Sequence, residues 1–322
     1  MFDNLLGSFW PYTIDGLILG AIYGLVALGY TMVYGVLRLI NFAHSEVFMI
    51  GTMAAAFVVM TMGITQPLTG FALVGGLLLM VLAGGLASAG SAALLERIAY
   101  RPLRKRGASR LAALISAIGA SLFLQELFAL VIIPHVFNRP QQGRNQMGVA
   151  RIMQKDVLFT IGGAQIRIDQ VIIFAASILM MILLDLLVNR TKIGRAIRAT
   201  SQDPETAVLM GVDIDKVVRA TFLIGGLMAG VAGALFVLQF EVTKFSIGFL
   251  LGIKAFTAAV LGGIGNIRGA LVGGMFLGLI ENYGAGIFGS GWKDVIAFTV
   301  LVLVLMFRPT GILGESLQQA RA

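Results

Sequence analysis

The residues able to do chemistry are few and unevenly placed. His44 and His135 are the only histidines, and cysteine is absent. Disulfides and thiolate metal sites are therefore excluded, and two distant histidines offer no metal-ligand spacing. The dipeptide Gly-Lys never occurs, so there is no phosphate-cradling loop of the Walker A type, and no serine occupies a Gly-x-Ser-x-Gly turn. The expectation is a chain with no catalytic, cofactor-binding or metal site of its own.

Three polar groupings remain. Asn41, His44, Ser45 and Glu46 lie in the run Arg38-Leu39-Ile40-Asn41-Phe42-Ala43-His44-Ser45-Glu46, the densest polar cluster at an apolar boundary. They could line a helix break on a solute path, or form a turn capped by Ser45. Glu126, Lys254 and Glu281 fall inside apolar stretches, with Asp185 near the end of another. Ionisable groups in lipid face the bundle interior and pair. A Lys254 pair with Glu126 or with Glu281 is expected, either fixing helix packing or taking part in transport. The third grouping is a polar segment carrying Arg195, Arg198, Asp203, Pro204, Glu205, Ala207, Gly211 and Asp213. Asp203-Pro204 reads as a helix start, with Asp capping and Pro in the first turn. A short capped helix ending at Gly211 suits docking into a partner's groove.

The elements that must position these groups follow from composition. Of 322 residues, 58% are hydrophobic and 12% charged, about half the charged share of ordinary soluble domains. Glycines recur inside the apolar runs: Gly20 and Gly24; Gly226, Gly230 and Gly233; Gly273, Gly274 and Gly278. Small residues let membrane helices approach closely. The net charge of +8 fits Lys and Arg concentrated on cytoplasmic loops better than nucleic-acid binding. No basic n-region precedes the first apolar run, so no cleaved signal peptide is expected.

Nine apolar stretches are candidate spans, near 13–37, 46–62, 68–95, 111–133, 169–188, 217–240, 249–264, 268–286 and 292–307. The second and seventh are short enough to be broken or half-crossing. The fold class is thus all-α, a polytopic transmembrane bundle with about eight or nine spans. It is read as one domain over 1–322, with an external loop at 134–168 and an inner loop at 189–216. Nine crossings place Arg38, the Arg101–Arg110 cluster, the Arg190–Arg198 cluster, Arg268 and Arg308 on one side, the cytoplasm. The N-terminus is then outside and the C-terminus inside. Residues 134–168 carry Arg139, Arg144, Arg151, Lys155 and Arg167 against this bias. Within that loop, Val157–Ile161, Gly162-Gly163 and Gln165–Ile168 read as a small hairpin.

The spacing of Glu205, Ala207 and Gly211, with Thr206 between, reproduces the Glu-Ala-Ala-x-x-x-Gly loop of ATP-binding-cassette importers. Gly29-Tyr30-Thr31-Met32-Val33-Tyr34-Gly35, Ile40-Asn41-Phe42-Ala43-His44-Ser45-Glu46 and Val260-Leu261-Gly262-Gly263-Ile264-Gly265-Asn266 extend the likeness over nearly the whole chain. The sequence resembles the permeases of high-affinity branched-chain amino acid importers, and most of all the shorter of the two paired permeases. The resemblance implies a second permease subunit, two cytoplasmic ATPase subunits that bind the ATP, a substrate-binding protein outside, and a bacterial inner membrane. Ser45 stands where glycine is commoner in the family, and residues 138–168 are distinctive. Both leave open substrates of related permeases, such as urea or short amides. The rival reading is a self-sufficient secondary transporter or channel, with Glu126, Lys254, Glu281 and His44 relaying protons.

Overall fold

The computed structural model describes residues 8–139, 143–308 and 310–314, apart from the Arg110 side chain. Eight helices among them are long and apolar enough to cross a bilayer. The chain is an all-α polytopic membrane protein. In order, the elements are α1 (Phe9–Leu37), α2 (His44–Thr61), α3 (Gly70–Leu95), α4 (Arg110–Leu127), β1 (Met147–Gly148), β2 (Val157–Ile161), β3 (Ala164–Arg167), α5 (Ile168–Arg190), α6 (Lys192–Gln202), α7 (Pro204–Leu209), α8 (Ile214–Phe240), β4 (Val242–Thr243), α9 (Ile247–Gly262), α10 (Ile267–Phe288) and α11 (Lys293–Phe307). The short second stretch is a full 18-residue helix, whereas the seventh, α9, has 16 residues. At 1.5 Å per residue α9 is about 24 Å long, less than a hydrocarbon core of about 30 Å.

Two helices continue past a local widening. After α3 the backbone forms a π turn at Glu96–Tyr100 and then Arg101–Lys105, giving one rod from Gly70 to Lys105. After α4 a π turn at Phe128–Ile132 leads into Ile133–Val136. In each case a proline, Pro102 or Pro134, stands two residues past the π turn. Proline has no N–H for the residue four back, and its ring crowds that carbonyl. Lengthening one ring accommodates both effects: Arg101 donates to Glu96 O and Ile133 to Phe128 O.

By contact density the chain divides into two compact units. The first comprises Met1–Thr31, Lys155–Asp185 and Ile253–Ala322. Here α1 lies against α10 through glycines. A Cβ at Gly20 would fall 2.6 Å from Gly274 O, and one at Gly274 would fall 2.5 Å from Gly24 Cα. Rings of Phe9, Trp10, Tyr12 and Tyr283 pack together, as do Phe288 and Trp292. Aromatic rings of this kind collect where a membrane meets water. The expected hairpin forms as β2 and β3, antiparallel, with Gly162 and Gly163 at φ +53° and +86°, the backbone that its tight two-residue turn demands.

The second unit comprises Met32–Gln154 and Leu186–Gly252. Its centre is the crossing of α2, α3 and α8. A Cβ at Gly51 would meet Gly230 Cα at 2.7 Å, and one at Gly226 would meet Ser88 O at 2.7 Å. The Ser88 hydroxyl donates to Val47 O at 2.7 Å. Lipid supplies no hydrophobic drive between helices, so such close contact and interhelical hydrogen bonds hold the crossing. Within this unit β1 pairs with β4, and Met147 joins an apolar cluster with Met49, Met53 and Ile133.

Candidate functional site

The connection between α1 and α2 is a true interruption of helix. Arg38 has φ +51°, a left-handed conformation that is uncommon for a residue with a side chain. Asn41, His44, Ser45 and Glu46 are all buried. Tyr100, at the end of the π turn, donates its hydroxyl to Asn41 Oδ1 at 2.7 Å. Ser45 donates to Phe42 O at 2.6 Å. Glu46 is fully buried, and its Oε1 accepts from Gln125 at 2.8 Å and Ser121 at 3.1 Å, both on α4. Its Oε2 has no hydrogen-bond partner among the described residues and lies beside Gly248.

The segment 192–213 is a pair of helices and a cap. Thr191 caps α6 by accepting from Gly194 N at 3.0 Å. Arg195 is exposed on α6, while Arg198 turns back to donate to Val188 O and to Asn189 Oδ1. Asp203 caps α7, accepting from the amides of Glu205 at 3.0 Å and Thr206 at 3.1 Å, with Pro204 in the first turn. The Thr206 hydroxyl, then its amide, holds the Asp203 carboxyl below the usual carboxylate range. Ala207 is buried, while Glu205 is exposed. Gly211 ends the segment at φ +84°. Asp213 then caps α8 through the Lys216 amide at 3.1 Å, and this bond, with the Lys216 side chain, holds its carboxyl low. Val208, Leu209 and Met210 are 52%, 86% and 80% exposed. They form a small apolar tip on an otherwise polar loop.

The ionisable residues in apolar stretches resolve differently. Lys254 binds Glu281 at 2.8 Å and Asp294 at 2.7 Å, and Tyr23 donates to the other Glu281 oxygen at 3.0 Å. Glu126 takes no part: it is half-exposed and pairs with Arg144 at 2.7 Å. Asp185 pairs with Arg268 at 3.3 Å. Sequence reasoning missed Asp294, because it stands in the first turn of α11 and reads there as an ordinary polar helix start. It also missed Tyr100, Arg101, Arg104 and Asp215. Arg101 donates to Asp215 at 2.9 Å, and Arg104 bonds both Asp215 at 2.5 Å and buried Glu96 at 3.2 Å. The available signal was Pro102, a proline inside a helical run, which marks local irregularity. No group of three or more metal-binding side chains occurs among the described residues.

Comparison with known proteins gives the family. Residues 12–305 match the family described as the permease component of the branched-chain amino acid transport system. The chain is 43% identical over 310 residues to the high-affinity branched-chain amino acid transport system permease protein BraD of Pseudomonas aeruginosa, covering 94% of each chain. It is 41% identical over 320 residues to the corresponding permease LivH of Escherichia coli, covering 95% of this chain and 96% of that one. A probable LivH of Methanocaldococcus jannaschii is 29% identical over 302 residues, 90% of this chain and 88% of that one. No solved structure matches with significance. The chain belongs to the family of permease components of branched-chain amino acid transport systems.

Proposed function

We propose that this chain is one permease subunit of an ATP-driven importer of branched-chain amino acids. The reading is carried by α7. Its Asp203 cap fixes a six-residue helix whose tip, Val208 to Met210, is apolar and exposed. A rigid apolar knob of this kind buries little on its own and gains by entering a partner's groove. The partner is a cytoplasmic ATPase subunit, two of which bind the ATP. A second permease and an extracytoplasmic substrate-binding protein complete the assembly in a bacterial inner membrane. No cofactor and no nucleic acid binds this chain. Solute passes between the paired permeases.

The proposed topology keeps the N-terminus outside and the C-terminus cytoplasmic. It is supported by the Arg268–Asp185 pair at 3.3 Å. Asp185 lies five residues before Arg190 at the basic end of α5, so the start of α10 returns to that level. The short helix α9 then completes a crossing despite its length. A self-sufficient proton-coupled carrier finds less support: Glu126, one of its relay groups, is held by Arg144 in a half-exposed pair.

The test is co-expression with candidate ATPase and second-permease subunits, followed by uptake of leucine, valine and urea into proteoliposomes. ATP-dependent leucine or valine uptake is expected. Uptake by the purified chain alone, driven by a proton gradient, would refute the assignment.

A further inference from the structure

The loop proposed to meet the ATPase and the helix break at 38–43 are joined by a short line of polar contacts inside the second unit. Gly211 and the Asp213 cap connect α7 to α8, and Asp215 lies in the first turn of α8. Arg101 and Arg104 clamp Asp215 at 2.9 and 2.5 Å. Arg104 also reaches buried Glu96 at 3.2 Å, across the π turn. Tyr100 closes that turn, packs its ring on Phe222 of α8 at a centroid distance of 5.3 Å, and donates to Asn41 Oδ1 at 2.7 Å. A second tie runs in parallel: Arg38, at the start of the break, donates to Ser201 O on α6 at 3.0 Å. Both ends of the interruption between α1 and α2 are thus fastened to the segment 192–215.

We infer that the Tyr100–Asn41 hydrogen bond is a positioning contact that transmits movement of the 192–215 segment to the break between α1 and α2. The inference rests on the reading of that segment as the ATPase contact. Its physical basis is the π turn. A straight α-helix would carry a push along its axis as a rigid rod. The turn imposed by Pro102 instead gives one widened ring, from Glu96 to the Arg101 amide, which contains Tyr100 and ends on the first clamp arginine, and there the helix can change register locally. Tyr100 is buried, away from bulk water that would compete for its hydroxyl, so the bond to Asn41 is stronger there than an exposed one. Asn41 acts through the break, where the backbone has left the helix and can follow.

The experiment compares wild type with Tyr100→Phe, Asn41→Ala and the double variant in the complete complex, reconstituted into proteoliposomes. The readout is solute imported per ATP hydrolysed, normalised to assembled complex. Tyr100→Phe keeps the ring on Phe222 and removes one oxygen. The ratio is expected to fall about fivefold, the coupling that one ordinary hydrogen bond can carry. Hydrolysis itself is expected to persist. The double variant should be no worse than either single variant, since both remove one bond. An unchanged ratio overturns the inference, and so do additive losses in the double variant. Loss of assembly in Tyr100→Phe marks the bond as structural and overturns it as well. A wild-type chain that works without ATPase subunits refutes the underlying assignment instead, and the inference with it. An ATP-coupled wild type with an indifferent Tyr100→Phe refutes the inference alone.

Discussion

Lys254 Nζ lies 2.8 Å from Glu281 Oε1, and the two side chains are only 10% and 1% exposed. Taking two charges out of water is costly, and the pair offsets that cost only through close geometry and further hydrogen bonds. Tyr23 supplies one such bond to Glu281, and Asp294 supplies a second carboxylate to the lysine. The arrangement fastens α1, α9, α10 and α11 within the first unit. Removing only the cation leaves a buried carboxylate uncompensated.

Lys254→Met is therefore expected to destabilise the protein by about 3–5 kcal/mol, the usual loss when one partner of a buried pair is removed. The double variant Lys254→Met, Glu281→Gln should recover most of it. Thermal unfolding in detergent checks this. A double variant as unstable as the single one would mean that Glu281 is not the residue at fault.

The glycines at the crossing of α2, α3 and α8 give a sharper steric test. A Cβ at Gly230 would collide with Gly84 O and approach Ser88 Cβ at 2.7 Å, whereas at Gly90 on α3 nothing lies within 4 Å. Gly230→Ala should cost about 1–3 kcal/mol or more, because backbone cannot yield as a side-chain tip can. Gly90→Ala should be neutral or stabilising by up to about 1 kcal/mol. Yield of monodisperse protein and melting temperature separate the two.

These residues also show where the sequence was legible and where it was not. Apolar length placed the helices and recurring glycines marked contact faces, since both are local properties of the chain. Asp203-Pro204 and the Gly162-Gly163 turn were equally readable, because caps and tight turns depend on one or two residues. The partner of Lys254 was not. Glu126 and Glu281 carry the same charge in similar apolar surroundings, and only the approach of α9 to α10 selects Glu281. The Glu96–Asp215 network stayed hidden for a related reason. Its arginines sit in a basic cluster that already had an explanation as a cytoplasmic loop.

The cap of α7 should respond to pH in a defined direction. Hydrogen bonds from Thr206 hold the Asp203 carboxyl below its ordinary value of 3.8. The stabilising contribution is complete above 3.8 and is lost as pH falls through the lower folded value. Asp203→Ala should remove it at every pH. Hydrogen exchange at the Glu205 and Thr206 amides, corrected for intrinsic rates, is the measurement. Protection is expected to persist at pH 5 in the native protein and to be reduced in the variant. Equal protection in both would show that the cap contributes nothing.

Docking through the apolar tip predicts a separation of binding from folding. Leu209 and Met210 are among the most exposed apolar side chains of the loop. Replacing both with Asp should leave the unfolding free energy of the isolated chain unchanged within about 0.5 kcal/mol, as for other surface changes. It should reduce recovery of ATPase subunits on affinity purification at least tenfold, the effect of losing about 1.4 kcal/mol. Undiminished recovery would place the ATPase contact elsewhere.

Glu46, in the first turn of α2 just past the helix break, offers the most discriminating substitution. Oε1 is the acceptor for Gln125 at 2.8 Å and Ser121 at 3.1 Å, while Oε2 faces Gly248 without a hydrogen bond among the described residues. Glu46→Gln keeps the shape and one carbonyl oxygen, so the donors on α4 remain satisfied and no buried charge is left to compensate. Glu46→Ala removes the acceptor and strands both donors, at about 1–3 kcal/mol for each buried group left without a partner. The amide variant should therefore melt at or above the native temperature and the alanine variant well below it. If both melt together, the α2–α4 contact does not depend on that oxygen. If the amide variant folds but uptake fails, the charge itself serves transport, and residues 41–46 are more than the junction of two helices.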